Sequence, residues 1–228
     1  MLSRVLEPEV MESPQEAADY DSMDHQAVNS AFVEDFLAAA RTAGPSLTGA
    51  ANQILDLGTG TAQIPIELNR RSPETRVLAI DLAASMLELA RRNVEAAGFS
   101  ETIALEQVDA KGLPFDAGTF AAVISNSIVH HIPEPARTLA EACRVVRPGG
   151  LLFFRDLLRP RDDAEVALLV SAYAGSANAH QRQLFEASLR AALSLQEMRE
   201  LVDRLGFNPS GVKQTTDRHW TWTAQRQP

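Results

Sequence analysis

Apolar positions along the chain switch repeatedly between two spacings. Between residues 50 and 156, short apolar runs bounded by turn signals alternate with segments whose apolar residues recur every three to four positions. Gln53 to Leu57 reads as a buried strand, followed by a glycine-rich turn and a helix from about Gln63 to Arg71. Arg76 to Asp81 is a strand and Ala83 to Ala97 a helix, which Gly98 stops at the expected C-terminal position. Ile103 to Val108 and Phe120 to Ser125 are further strands, the second apolar on both faces as a central parallel strand should be. Pro133 to Val145 reads as a helix with Pro133 in its first turn, and Gly149-Gly150 turn the chain into a strand from Leu151 to Arg155.

This order implies a parallel sheet with right-handed crossovers and helices on both faces. The tail departs from it. Ser194 and Glu197 form a capping box that opens a helix, Gly206 ends it, and Val212 to Thr215 and His219 to Thr223 are strands joined by a short turn. So short a link forces an antiparallel hairpin. The expected fold is α/β: a Rossmann-like three-layer sandwich, with a mostly parallel seven-stranded sheet, a C-terminal antiparallel hairpin and helical lid segments. Residues 1–49 read as a loose arm (to about 16) and a helical lid over 17–43, broken by Gly44, Pro45 and Gly49. Residues 50–156 form the ligand-binding core, 157–193 a helical insertion or lid, and 194–228 the helix and hairpin that complete the sheet.

The composition narrows the function. With 228 residues, 45% apolar and 22% charged, the chain is a globular domain with a small elaboration. A net charge of −9 disfavours nucleic acid, and Arg70-Arg71 and Arg91-Arg92 are short pairs rather than a basic patch. The lone Cys143 can form no internal disulfide and no multi-cysteine metal site. No apolar run approaches the roughly 18 to 20 residues a membrane span needs. Met1 to Pro14 lacks a signal-type apolar stretch, so a cytoplasmic location is the default expectation.

The strongest motif is Ile54-Leu55-Asp56-Leu57-Gly58-Thr59-Gly60-Thr61-Ala62. Two glycines after a buried strand let the backbone turn sharply and approach a ligand. Asp56 lies at the ligand-binding end of the first strand. Asp81, about two dozen residues on, is placed to accept hydrogen bonds from both hydroxyls of a ribose, or to cap the next helix. Asp56-x-Gly58-x-Gly60, then Asp81, Asp109 and Arg147-Pro148-Gly149-Gly150, resembles the class I S-adenosylmethionine-dependent methyltransferases. The closest pattern is the small-molecule group related to the quinone-biosynthesis C-methyltransferases.

The resemblance implies S-adenosylmethionine as cofactor and S-adenosylhomocysteine as product. It places Gly58, Thr59 and Gly60 under the methionine part, Asp56 facing the amino group and Asp81 on the ribose. Leu82 and Met86 would flank the adenine, Asp109 and Ala110 would meet its edge, and Asn126 would lie near the methionine end and the acceptor. Ala62 stands where a third glycine is frequent, a substitution expected to be tolerated.

Methyl transfer from a sulfonium is an in-line displacement needing chiefly positioning and electrostatics. A base is needed only for an acceptor that arrives protonated. His131 is the candidate, ahead of His130; both follow the fourth strand, and histidine is the side chain suited to taking a proton near neutral pH. No metal is expected, since adjacent residues rarely point at one ion. The partner expected is a small-molecule methyl acceptor, with Tyr20, His25, Tyr173 and His180, and also Phe32 and Phe185, as candidate pocket residues. Neither the acceptor nor the oligomeric state is specified. The alternatives are a cofactor-binding protein without catalysis, or a nicotinamide-dependent oxidoreductase, whose G-x-G-x-x-G fails at Gln63.

Overall fold

The strands are β1 (Ile54–Leu57), β2 (Val77–Asp81), β3 (Ile103–Gln107), β4 (Phe120–Asn126), β5 (Val146–Leu157), β6 (Val212–Gln214) and β7 (His219–Gln225). The helices are α1 (Gln26–Ala43), α2 (Gln63–Arg71), α3 (Ala84–Ala97), α4 (Pro135–Val145), α5 (Asp163–Ala174), α6 (Ala179–Ala191) and α7 (Leu195–Arg204). They are seen in a computed structural model that describes residues 2–7, 17–18, 21–22, 25–43, 46–49, 51–175 and 177–227. Tyr20, Gly44 and Pro45 lie outside the described residues.

The strands form one sheet in the order β3-β2-β1-β4-β5-β7-β6. β1 pairs in parallel with β2 and β4, and β2 with β3. β6 and β7 are antiparallel. The order reverses between β1 and β4, so the carboxyl ends of these two strands border the crevice where open α/β sheets take ligands. β1 is buried throughout and β4 until Asn126, which explains why both are apolar apart from Asp56 and the strand end from Ser125.

The chain groups into two units. The larger comprises residues 10–126, 136–154 and 223–228. Its core joins α1 to the sheet: Phe32, Val33 and Phe36 are fully buried, and the Phe32 ring meets Phe153 edge-on at 5.1 Å. The smaller unit comprises residues 1–9, 127–135 and 155–222, with an apolar cluster of Leu157, Leu169, Leu189 and Ala192. Ser194 and Glu197 form the expected capping box, and a second, Asn178 with Gln181, opens α6. No helix among the described residues is long and apolar enough to cross a membrane.

Three local expectations are corrected. β5 begins at Val146, not Leu151, because Gly149 donates to Arg226 O and Arg226 donates to Gly150 O, drawing both glycines into strand pairing. A Cβ on Gly150 would lie 2.7 Å from Ala121 O, so the position has no room for a side chain. α4 begins at Pro135, and the chain before it makes a short 3₁₀ turn over Val129–His131. Residues 2–7 are not loose: Val5 donates to Arg190 O, and the Arg4 guanidinium donates to the carbonyls of His130, Ile132, Pro133 and Ala191.

Candidate active site

The turn after β1 is built from alternate residues in the left-handed region: Gly58 at φ 68°, Gly60 at 55° and Ala62 at 63°. Glycine enters this region freely, whereas an L-residue such as Ala62 pays roughly 1–2 kcal/mol. Ala62 is therefore tolerated at a cost that the glycine frequent at this position would avoid. Asp81, at the end of β2, holds the turn in place. Its Oδ2 accepts from Gly60 N at 2.8 Å and its Oδ1 from Ala83 N at 2.9 Å. One carboxylate thus braces the glycine turn and the start of α3 together.

Asp56 is 2% exposed, and its Oδ2 has no hydrogen-bond partner. Burial, reinforced by the nearby charge of Asp81, pushes its carboxyl up to about 7. Thr59 is a side-chain neighbour of this carboxyl, and Thr61 Oγ1 and Asn126 Oδ1 are further buried oxygens without a well-formed hydrogen bond. Asn126 ends β4, two residues beyond the Ile124 that pairs with Asp56. Buried polar atoms are ordinarily satisfied, and each orphan costs on the order of 1–3 kcal/mol. The orphans are oxygens, including one from a carboxylate. Their complement is a ligand rich in N–H donors, above all an ammonium. The amino-acid end of S-adenosylmethionine fits this donor set.

Met86 is buried against Ala17 and Ala83, while Leu82 is 38% exposed. Gln107 donates to Leu82 O at 2.9 Å. Asp109 is partly exposed. The Lys111 backbone N–H and ammonium, both on its Oδ1, outweigh burial and hold its carboxyl below the usual range. Ala110 beside it is buried.

The smaller unit holds a second polar cluster. Glu7 Oε1 lies 3.0 Å from His131 Nδ1 and 3.4 Å from His130 Nε2. The two imidazoles lie side by side, centroids 4.1 Å apart. The expectation that these neighbours point apart fails because the 3₁₀ turn stacks their rings. Behind them, Asp156 Oδ1 sits 2.5 Å from His130 Nδ1, and its Oδ2 accepts from Val129 N and His130 N. Burial disfavours both charges, but the Asp156 carboxylate wins and raises His130, while His130 holds Asp156 below the usual carboxylate range. Sequence reasoning named His130 and His131 but missed Glu7, Asp156 and Arg4. Glu7 is far away in sequence, and Asp156 gives no signal beyond being an acid at the end of a buried strand.

The acceptor candidates are dispersed. Phe32 belongs to the core. His25 lines a cavity of about 520 Å³ with Asp21, Asn29, Gln63 and Asn93. Tyr173 is half exposed on α5, donating to Asp217 with Arg218 against its ring. His180 is exposed on α6, and Phe185 packs against the smaller unit's cluster.

Residues 54–150 match the family model described as "Methyltransferase domain". The chain is 37% identical over 107 residues to the demethylmenaquinone methyltransferase of Thermus thermophilus, an alignment covering 47% of this chain and 48% of that protein. It is 28% identical over 190 residues to the 27-O-demethylrifamycin SV methyltransferase of Amycolatopsis mediterranei, covering 82% of this chain and 66% of that one. The chain thus spans about half to two thirds of the length of these relatives. The structure superposes on a SAM-dependent methyltransferase from Aquifex aeolicus with a TM-score of 0.64 at 18% identity, covering 93% of this chain and 98% of the other. The fold is that of the SAM-dependent methyltransferase structure, and residues 54–150, with the glycine turn and the strand-end carboxylates, resemble the class I methyltransferases. Within that class, its core resembles the quinone-biosynthesis C-methyltransferases.

Proposed function

We propose that the protein uses S-adenosylmethionine to methylate a small-molecule acceptor by in-line displacement. The observation that carries this reading is the set of orphaned buried oxygens, Asp56 Oδ2 foremost, around a left-handed glycine turn. Asp56, Gly58, Thr59, Gly60 and Asn126 would hold the amino-acid end, Asp81 the ribose, and Leu82, Met86, Asp109 and Ala110 the adenine. When bound, the cofactor supplies a methyl group on a sulfonium. The chain's own residues bind and orient it, and Asp56 neutralises its ammonium. For an acceptor that arrives protonated, the proposed proton acceptor is His131, the more exposed of the two histidines at 17% against 4%. Small-molecule relatives and the acidic balance support an enzyme acting on a metabolite rather than on nucleic acid.

Isothermal titration tests the cofactor. S-adenosylmethionine and S-adenosylhomocysteine should bind and NAD should not; the reverse pattern would end the reading. Incubating a cell extract with isotopically labelled cofactor, followed by mass spectrometry, should show one compound gaining a methyl group. Cofactor binding without any labelled product would instead favour a cofactor sensor.

A further inference from the structure

We infer that Glu7, His130 and His131 form a binding site for a first-row divalent metal ion of the zinc type. The three ligand atoms, Glu7 Oε1, His130 Nε2 and one ring nitrogen of His131, lie within 4.8 Å of one another. Two separations involving Glu7 Oε1 are 3.0 and 3.4 Å. Ligands about 2.1 Å from a tetrahedral ion lie about 3.4 Å apart, so both separations from Glu7 Oε1 are close to what zinc requires.

An ion pair accounts for part of the arrangement: Glu7 Oε1 and His131 Nδ1 lie 3.0 Å apart, off the angle of a well-formed hydrogen bond. The Glu7 side chain is only 8% exposed. A metal ion would satisfy both atoms at once. Two histidines and one carboxylate are also a common donor set for zinc and iron(II), with a position left open.

The surroundings orient these ligands as metal sites require. Asp156 takes the Nδ1 side of His130 at 2.5 Å, turning Nε2 toward Glu7. Ser188 donates to Glu7 Oε2, leaving Oε1 for the ion. Arg4, three residues before Glu7, ties this segment to four carbonyls and so fixes the carboxylate's approach. The ion would pin the N-terminal segment to the 3₁₀ turn. It would also make His131 a ligand, so metal binding and the base role are alternative uses of one imidazole.

The test reads metal binding, not methyl transfer, so its outcome is separate from the fate of the proposed activity. The chain, free of any polyhistidine tag and stripped with chelator, is titrated with Co²⁺ and then Zn²⁺. The expected result is one Co²⁺ per chain with visible d–d absorption, displaced by Zn²⁺, and a melting temperature raised by Zn²⁺. Glu7→Gln and His131→Ala should each weaken Co²⁺ binding at least 10- to 100-fold. Their circular dichroism in chelator shows whether they remain folded. If one does not fold, the other variant and the wild-type stoichiometry decide. No d–d bands on the wild type, or equal binding by wild type and folded variants, would mean adventitious surface chelation and overturn the site.

Discussion

The elevated carboxyl of Asp56 makes a quantitative prediction about cofactor binding and pH. In the free protein this carboxyl sits at about 7, against 3.8 for an ordinary aspartate. At pH 6 it is therefore about nine-tenths protonated. An ammonium ligand prefers the carboxylate, so binding at pH 6 should expel close to one proton, and binding at pH 8.5 almost none. Affinity for S-adenosylhomocysteine should tighten by up to about tenfold per pH unit between pH 5 and 7, then level off. Titration calorimetry in buffers of different ionisation enthalpy counts the protons directly. Asp56→Asn should abolish the slope and weaken binding at pH 8 by roughly 10- to 150-fold, the worth of a charge-assisted hydrogen bond. A flat wild-type profile, or an Asn variant keeping the wild-type slope, would refute the assignment.

The same carboxyl sets a stability trend of opposite sense. Its folded value is raised above its unfolded one, so its contribution is fully present below the unfolded value and lost as pH rises through about 7. Three units of displacement correspond to an upper figure of about 4 kcal/mol. Cofactor-free Asp56→Asn should therefore melt higher than wild type at pH 8, with the gap closing toward pH 4. An equal gap at both pH values would show that packing, not charge, is responsible.

Further outcomes follow from single contacts. Asp81→Ala should weaken S-adenosylhomocysteine binding roughly 10- to 1000-fold in calorimetry and also lower the melting temperature, since Gly60 N and Ala83 N lose their acceptor. Asp81→Asn can serve only one of those donors, so a variant matching wild type in both affinity and stability would disprove the bracing role. Gly150→Ala should cost about 1–3 kcal/mol in urea denaturation, because its Cβ would lie 2.7 Å from Ala121 O; an unchanged midpoint would show that β5 yields. Glu197→Ala should cost about 2 kcal/mol, removing a capping box and the bidentate partner of the buried Arg159, whose Nη2 reaches both carboxylate oxygens at 2.8 Å. An unchanged urea midpoint there would put the holding of Arg159 on its bond to Ala192 O instead.

The alternating core was legible because each element buries a face that its own sequence encodes. β1 and β4 are apolar runs because both their faces are covered, and Gly98 ends α3 because only glycine is at ease at its φ of 77°. The cofactor end of the sheet was legible for the same local reason, since Asp56, Gly58 and Gly60 are consecutive along one turn. What escaped was decided by partners distant in sequence. β5 starts early because Arg226 pairs with Gly149 and Gly150 across 76 residues or more. α1, expected as part of a lid, places Phe32, Val33 and Phe36 in the core, so deleting residues 1–43 would remove packing as well as a cover. Glu7 meets His131 although nothing in either local sequence announces the other.

The polar side chains of this chain differ in how fully they are answered. Arg159 with Glu197 and Arg144 with Glu141 are ion-paired at short range, and the result is a held loop or helix end. Asp56 Oδ2, Thr61 Oγ1 and Asn126 Oδ1 in the larger unit, and Glu7 Oε1 with His131 Nδ1 in the smaller, lack a well-formed hydrogen bond. A fold optimised for stability alone would replace such groups, because each costs more than a matched pair returns. A ligand at each cluster would repay that desolvation. The clusters differ in chemistry: one is oxygens around a glycine turn, suited to an ammonium, and the other is two imidazoles and a carboxylate, suited to a metal ion. A single ligand would not satisfy both, so the two titrations, one with S-adenosylhomocysteine and one with Co²⁺, should saturate independently.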